Sequence, residues 1–263
     1  MAEISAKDVQ ALRRVTGAGM MDCKKALQAT DGDQEAAVQW LRERGIAKTE
    51  GLAGRANEQG AVAIAADGNR AALVQLKAET DFSAKADDFK ALVKDLAGAV
   101  LAGGVEAVEA RKDDIDTLRI AKKENIELGQ VALFEAAEGH LLDTYLHQQD
   151  GRGVVGVIIE ASGVDQETLH DIALHIAFAK PAALSRDEIP AETVEKERAA
   201  LLEITKAEGK PEAAWPKIVD GRINAWYKDS VLLEQGVHGE KETVEQRIGA
   251  GRIVRFALAT IGA

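Results

Sequence analysis

Apolar residues recur along this chain at two spacings, and the switch from one to the other divides it into segments. Over residues 5–15, Val9 and Leu12 fall on one side of a helix. Thr16-Gly17-Ala18-Gly19 then breaks it, because glycine enters left-handed backbone space without a Cβ penalty. A second helix restarts near Met20, with Ala26 and Leu27 apolar and Lys24 and Lys25 solvated. Thr30-Asp31-Gly32-Asp33 is a turn, with Asp33 placed to cap a third helix that carries Ala37, Trp40 and Leu41. Gly45 is expected to stop that helix, and residues 48–60, with mixed charge and no periodicity, read as a tether.

Beyond the tether the spacing becomes that of strands. Residues 60–66 and 70–78, joined by Asp67-Gly68-Asn69, predict a β-hairpin whose turn draws on an Asp-Gly pair. After Thr80 the helical period returns. Phe89, Leu92, Val93, Leu96 and Val100 form one stripe, Gly103-Gly104 ends it, and a polar helical segment runs to Lys123. A second round begins at Glu127, with strands predicted over 131–136, 140–147 and 154–161 and a turn at Asp150-Gly151. A helix follows, with Leu169, Ile172, Ala173, Ile176 and Ala177 inward. Residues 190–209 and 212–228 predict two helices joined at Gly209-Lys210-Pro211, with Val194/Leu201 and Ile218/Ile223 as the packing pairs of an antiparallel helical hairpin. One more helix over 240–248 and a final strand over 253–258 complete the chain.

This order implies an α+β protein. Residues 1–55 form a three-helix bundle of the size of a ubiquitin-associated domain. Two related α+β subdomains with antiparallel sheets follow, an N-terminal core subdomain over 56–125 and a C-terminal one over 126–263. The latter carries the helical hairpin over 190–229 and a C-terminal module over 236–263. The hairpin could pair two copies as a homodimer or lie on the core.

Charge and candidate chemistry narrow the function. The chain has 33 basic and 44 acidic residues, a net charge of -11. Sequence-independent nucleic-acid binding relies on basic residues that displace counterions, so no direct nucleic-acid contact is expected. Cys23 is the only cysteine, which leaves no disulfide framework and no thiolate zinc cluster. Its neighbours Lys24 and Lys25 could lower the thiol pKa, but the preferred reading is a small helical residue. Neither a basic-then-apolar leader nor an apolar run of membrane-spanning length occurs, so a cytoplasmic protein without membrane contact is expected. His170 and His175 are five residues apart, a poor spacing for two ligands on one helix face, and no His-Glu-x-x-His pattern exists. No metal or cofactor is expected, and no convergent acid, base or nucleophile set argues for an enzyme. Gly17-Ala18-Gly19 invites a phosphate-loop reading, but no strand precedes it and the longer Gly-Lys-Ser/Thr pattern is missing, so a structural turn is preferred.

Two places resist a purely structural account. Met20 and Met21 are adjacent, so one helix face cannot bury both: either one fills the core and the other sits at the rim, or they meet a partner. Phe82 is seven residues before Phe89 and would join the buried stripe if the helix had already begun there. Thr80, Asp81 and Ser83 are all plausible caps, however, so Phe82 sits at a strand-to-helix junction where phase is not defined. A cap at Ser83 would pair Phe82 with Asp87, which is not apolar.

The run over 12–27, Leu-Arg-Arg-Val-Thr-Gly-Ala-Gly-Met-Met-Asp-Cys-Lys-Lys-Ala-Leu, resembles the N-terminal signature of bacterial translation elongation factor Ts. The segment over 76–85, Leu-Lys-Ala-Glu-Thr-Asp-Phe-Ser-Ala-Lys, resembles that family's second hallmark, in which valine usually follows the Asp-Phe pair. His175-Ile176-Ala177, Lys180-Pro181, Glu208 to Pro211, Gly221-Arg222 and Val231 to Gln235 also resemble the family, so the likeness spans nearly the whole chain. It implies a guanine-nucleotide exchange factor that binds elongation factor Tu carrying GDP. Phe82, with Asp81, Ser83 and Ala84, would dislodge Mg²⁺ and release nucleotide, and Arg13, Met20 and Met21 would grip the GTPase. Ser83 departs from the family's valine, which implies weaker packing beneath the loop. Gly249-Ala250-Gly251 stands where a longer helix and loop would be expected. The competing reading is an adaptor or ribosome-associated chaperone component in which the bundle is the working part.

Overall fold

The computed structural model describes residues 4–49, 52 and 54–262. Helices α1 (Ala6–Thr16), α2 (Met20–Ala29) and α3 (Gln34–Thr49) come first. Then follow β1 (Gln59–Asp67), β2 (Arg70–Ala78), α4 (Asp81–Lys85), α5 (Asp87–Gly103) and α6 (Lys112–Lys122). The next round is β3 (Glu127–Glu135), β4 (His140–Gln149), β5 (Arg152–Ser162) and α7 (Gln166–Ala179). Helices α8 (Ala191–Ala207), α9 (Trp215–Ser230) and α10 (Val244–Ile248) and strand β6 (Arg252–Thr260) complete it. The class is α+β. The strands that the sequence groups into two rounds share one six-stranded sheet of order β3-β2-β1-β5-β4, with β6 pairing β5 off this path.

Contacts divide the chain into two compact units, one of Met1–Phe134, Leu146–Gly156 and Ala259–Ala263, the other of Glu135–Tyr145 and Val157–Leu258. In the first unit, α1 opens with a complete capping box: the Ser5 hydroxyl oxygen accepts the Asp8 N–H, and the Asp8 carboxylate accepts the Ser5 N–H. Asp33 caps α3 by accepting the Ala36 N–H at 3.0 Å. Val9, Leu12, Ala18, Cys23, Ala26, Leu27, Ala37 and Leu41 form the bundle's own apolar core.

Gly45 does not stop α3. The helix runs on to Thr49, and a Cβ at position 45 would lie 2.5 Å from the Ile120 side chain. The glycine therefore permits a close approach of α3 to α6. The expected tether is shorter for the same reason: α3 takes its first two residues, and residues 50, 51 and 53 of it lie outside the described residues.

Strands β1 and β2 pair from Gln59↔Ala78 to Asp67↔Arg70, which leaves Gly68-Asn69 as the loop, with Gly68 at φ +57°. The inner face of this hairpin meets Phe89, Val93, Leu96 and Val100 of α5. Residues 71–76 of β2 are all buried, as in a strand covered on both faces, so alternation is lost there. Across the β4–β5 turn, Asp150 (φ +53°) and Gly151 (φ +73°) both take left-handed conformations.

In the second unit, Val157, Ile159 and Ala161 pack with Leu169, Ile172, Ala173 and Ile176 of α7. The α8–α9 hairpin buries Val219 and Ile223, with Ile218 only half-buried, and carries ion pairs Arg198–Asp220 (2.6 Å) and Arg222–Glu208 (2.7 Å). Helix α10 is shorter than the expected 240–248, because Thr243 forms a capping box with Gln246 and fixes the start at Val244. Among the described residues, no helix is long and apolar enough to cross a membrane.

Candidate functional site

Among the described residues, the first unit exposes large apolar side chains beside the start of an α-helix at two places. The first is the turn between α1 and α2. Gly17 takes φ +64°, and its N–H donates to the Arg13 carbonyl at 2.8 Å. The Thr16 hydroxyl donates to the Leu12 carbonyl (2.8 Å) and accepts the Ala18 N–H (3.3 Å), which locks the turn from within. Met20 and Met21 are 49 % and 64 % exposed, so neither fills the core. Arg13 is exposed, and Val15, which sequence reasoning did not single out, is also exposed at this turn. Its signal was available: Val9, Leu12 and Thr16 make the buried stripe of α1, and Val15 falls beside it. Cys23 is fully buried beneath, and desolvation pushes its thiol pKa up, the opposite of an activated cysteine.

The second place is α4. Thr80 is its cap, not Ser83: the Thr80 hydroxyl accepts the Ser83 N–H at 3.2 Å. The helix lasts five residues and ends at Ala86, which is extended (φ -66°, ψ 144°) and separates it from α5. This break uncouples Phe82 from the Phe89 stripe. Phe89 is buried, and Phe82 stands 84 % exposed. Ser83 and Ala84 face inward, at 7 % and 0 % exposure, so they support the loop from below.

Flanking Phe82 is a charged cluster. The Lys85 ammonium meets Asp81 at 2.7 Å and Asp150 at 3.0 Å. The hydrogen bond from Lys85 holds the Asp81 carboxyl below its usual pKa, with the Arg152 guanidinium adding a smaller push in the same direction. Asp81, then Asp150, raises the pKa of Lys85 in turn. At Ser83, where the sequence predicts weaker packing than valine would give, the hydroxyl donates to Glu124 Oε1 at 2.6 Å. Sequence reasoning missed Glu124, Lys85 and Asp150 as parts of this site. Nothing in local spacing could reveal Glu124, which lies 41 residues from Ser83.

Among the described residues no group of three His, Cys, Asp or Glu side chains could hold a metal ion. What the arrangement offers is an aromatic side chain on a short, well-anchored helix, with ionic contacts at its base. The family model described as elongation factor TS matches residues 79–263, a span that begins one residue before the Thr80 cap. Similar proteins named elongation factor Ts include that of Saccharopolyspora erythraea, 42 % identical over 93 % of this chain and 92 % of the relative. Those of Clavibacter michiganensis and Deinococcus radiodurans are each 40 % identical, over 100 % of both chains and over 98 % and 99 % respectively. With the family model covering more than half of the sequence and full-length relatives covering the bundle as well, the chain belongs to the elongation factor Ts family.

Proposed function

We propose that this protein is a guanine-nucleotide exchange factor for elongation factor Tu, acting in the cytoplasm during translation elongation. It makes and breaks no covalent bond. A translation GTPase that holds GDP through its phosphates and Mg²⁺ releases it slowly. An exchange factor must therefore bind the nucleotide-free state more tightly than the GDP state, since only differential affinity shifts an equilibrium. The coupling is reciprocal, so incoming nucleotide expels the factor.

In this reading Phe82 is the wedge. It enters between helices of the GTPase's nucleotide domain, Asp81 steadies its base through Lys85, and Ser83 and Ala84 back it from below. The displaced elements draw away from Mg²⁺, and loss of the ion leaves phosphate charge uncompensated. The bundle over 1–55 grips a separate helix through Arg13, Met20 and Met21, and the core subdomain over 126–263 holds another domain of the GTPase. Several docking surfaces are needed, because their binding energy must offset the strain of opening a nucleotide site.

The observation that carries the reading is the 84 % exposure of Phe82 on a helix whose other apolar residue, Ala84, is fully buried. The decisive experiment is stopped-flow release of a fluorescent GDP analogue from elongation factor Tu. Acceleration by the full chain supports the exchange reading. A folded chain that gives none overturns it in favour of the adaptor reading.

A further inference from the structure

Helix α4 cannot hold itself. Five residues supply too few internal bonds to offset the entropy of nucleating a helix, so its first turn depends on outside partners. Helices α1 and α10 solve this locally, with Asp8 and Gln246 at the third helical position returning a side chain to the N–H of the cap. In α4 the third position is Ser83, whose side chain donates elsewhere. The partner comes instead from the loop after α6. Glu124 Oε2 accepts the Thr80 N–H at 3.1 Å, and Oε1 accepts the hydroxyls of Thr80 and Ser83, both at 2.6 Å. All three bonds end on a carboxylate, which makes them stronger than neutral ones.

Glu124 is itself fixed on both sides. Lys123 before it takes φ +59° at the end of α6, and Asn125 after it donates its N–H to Glu79 (2.6 Å) and its side-chain amide to the Arg55 carbonyl (2.9 Å). Helix α6 also receives the bundle. A Cβ at Gly17 would lie 2.9 Å from that of Ala121, and Arg42 pairs with Asp113 at 2.9 Å. A continuous packed path therefore runs from the Met20–Met21 turn, through α6 and Glu124, to the base of Phe82.

We propose that Glu124 is the positioning residue of the wedge. It completes the cap of α4 from outside the helix, fixes the direction in which Phe82 projects, and ties that direction to the bundle through α6. The Ser83 hydroxyl adds a bond that the family's valine could not make. This proposal rests on the exchange reading above.

The test measures GDP-analogue release from elongation factor Tu over a range of factor concentrations, so that maximal rate and half-saturating concentration are read separately. Amide hydrogen exchange over 81–85 in the free full-length protein is measured alongside. Glu124→Met keeps the side-chain length and removes all three acceptor contacts. It should lower the maximal rate about tenfold, as expected when bonds to a charged acceptor are lost, while shifting half-saturation less than about twofold. Amide exchange over 81–85 should speed up with the rest of the chain unchanged. Glu124→Gln retains one acceptor oxygen and should recover part of the maximal rate, whereas a group that only stabilises the fold would shift unfolding temperature without this split. Ser83→Ala, which removes a single hydroxyl, should lower the maximal rate about threefold through one lost bond and carries the test if Glu124→Met does not fold. Unchanged maximal rates in the folded variants overturn the proposal, as do unchanged amide-exchange rates. If wild type fails to accelerate release, the exchange reading falls separately, and the amide-exchange comparison still decides whether Glu124 holds α4.

Discussion

The turn that presents Met20 and Met21 and the helix that presents Phe82 both put apolar side chains on the surface, yet their supports come from different distances along the chain. Around the first, Thr16 and Gly17 make their hydrogen bonds within four residues, and only the packing of Gly17 on Ala121 reaches further. Around the second, Thr80 and Ser83 lean on Glu124, and Lys85 leans on Asp150. A locally supported surface survives damage elsewhere, whereas a remotely supported one reports on the whole unit. For the proposed wedge the second kind of support is the useful one, since a load on α4 passes to α5 and the β1–β2 hairpin that it packs against rather than resting on five residues.

The largest effect that separates the two surfaces is expected from Phe82→Ala. It should reduce the maximal acceleration of GDP release about 100-fold, in the range of a dominant interface residue, and change affinity far less. Met20→Ala with Met21→Ala should do the reverse, weakening half-saturation about tenfold with a near-normal maximal rate. If both variants lost rate and affinity in equal measure, the division of labour between wedge and grip would be wrong.

Gly17→Ala attacks the link between the surfaces. Its φ of +64° and the 2.9 Å approach to Ala121 penalise any side chain. A loss of about 2 kcal/mol in denaturant unfolding is expected, with the bundle affected first. A neutral result would show that the bundle and α6 can separate without cost.

The second unit gives an independent case of remote support. His175 is buried: its Nδ1 accepts the His238 N–H at 3.1 Å, and its Nε2–H donates to Gln235 at 3.0 Å. Nearby, Asp171 holds both the His238 ring and Arg247. Burial pushes the His175 pKa below its ordinary value, with the Gln235 bond and Asp171 opposing and His238 adding to the fall. The unfolded chain therefore binds more protons than the folded one once pH drops below about 6.5, and stability is lost from there down toward the folded pKa. Thermal unfolding of wild type should show that decline, and His175→Gln should flatten it. An equal slope in both would place the acid sensitivity elsewhere. The smallest effect is expected from Ser5→Ala, which should cost about 1 kcal/mol and leave amide exchange over 81–85 unchanged.

Much of this was legible in the sequence. The Ser5 start, the Asp33 cap, the Gly68 and Asp150-Gly151 turns and the α5 and α7 stripes are set by residues within a few positions of one another. At such range, side-chain chemistry and backbone preference act without knowledge of the fold, and the same holds for the break at residues 16–19. Gly45 was not legible in this way, because a glycine that ends a helix and one that admits a neighbour look alike in sequence; only Ile120, 75 positions away, distinguishes them. Tertiary structure likewise decided that Val219 packs the hairpin with Ile223 and that His175 is sealed by His238 and Gln235. Phe82 shows the division most clearly. Its chain neighbours made it a junction residue, but whether it would be buried depended on where α4 ended and what anchored it. That anchor, Glu124, is a contact between residues far apart in the chain, and periodicity carries no record of such contacts.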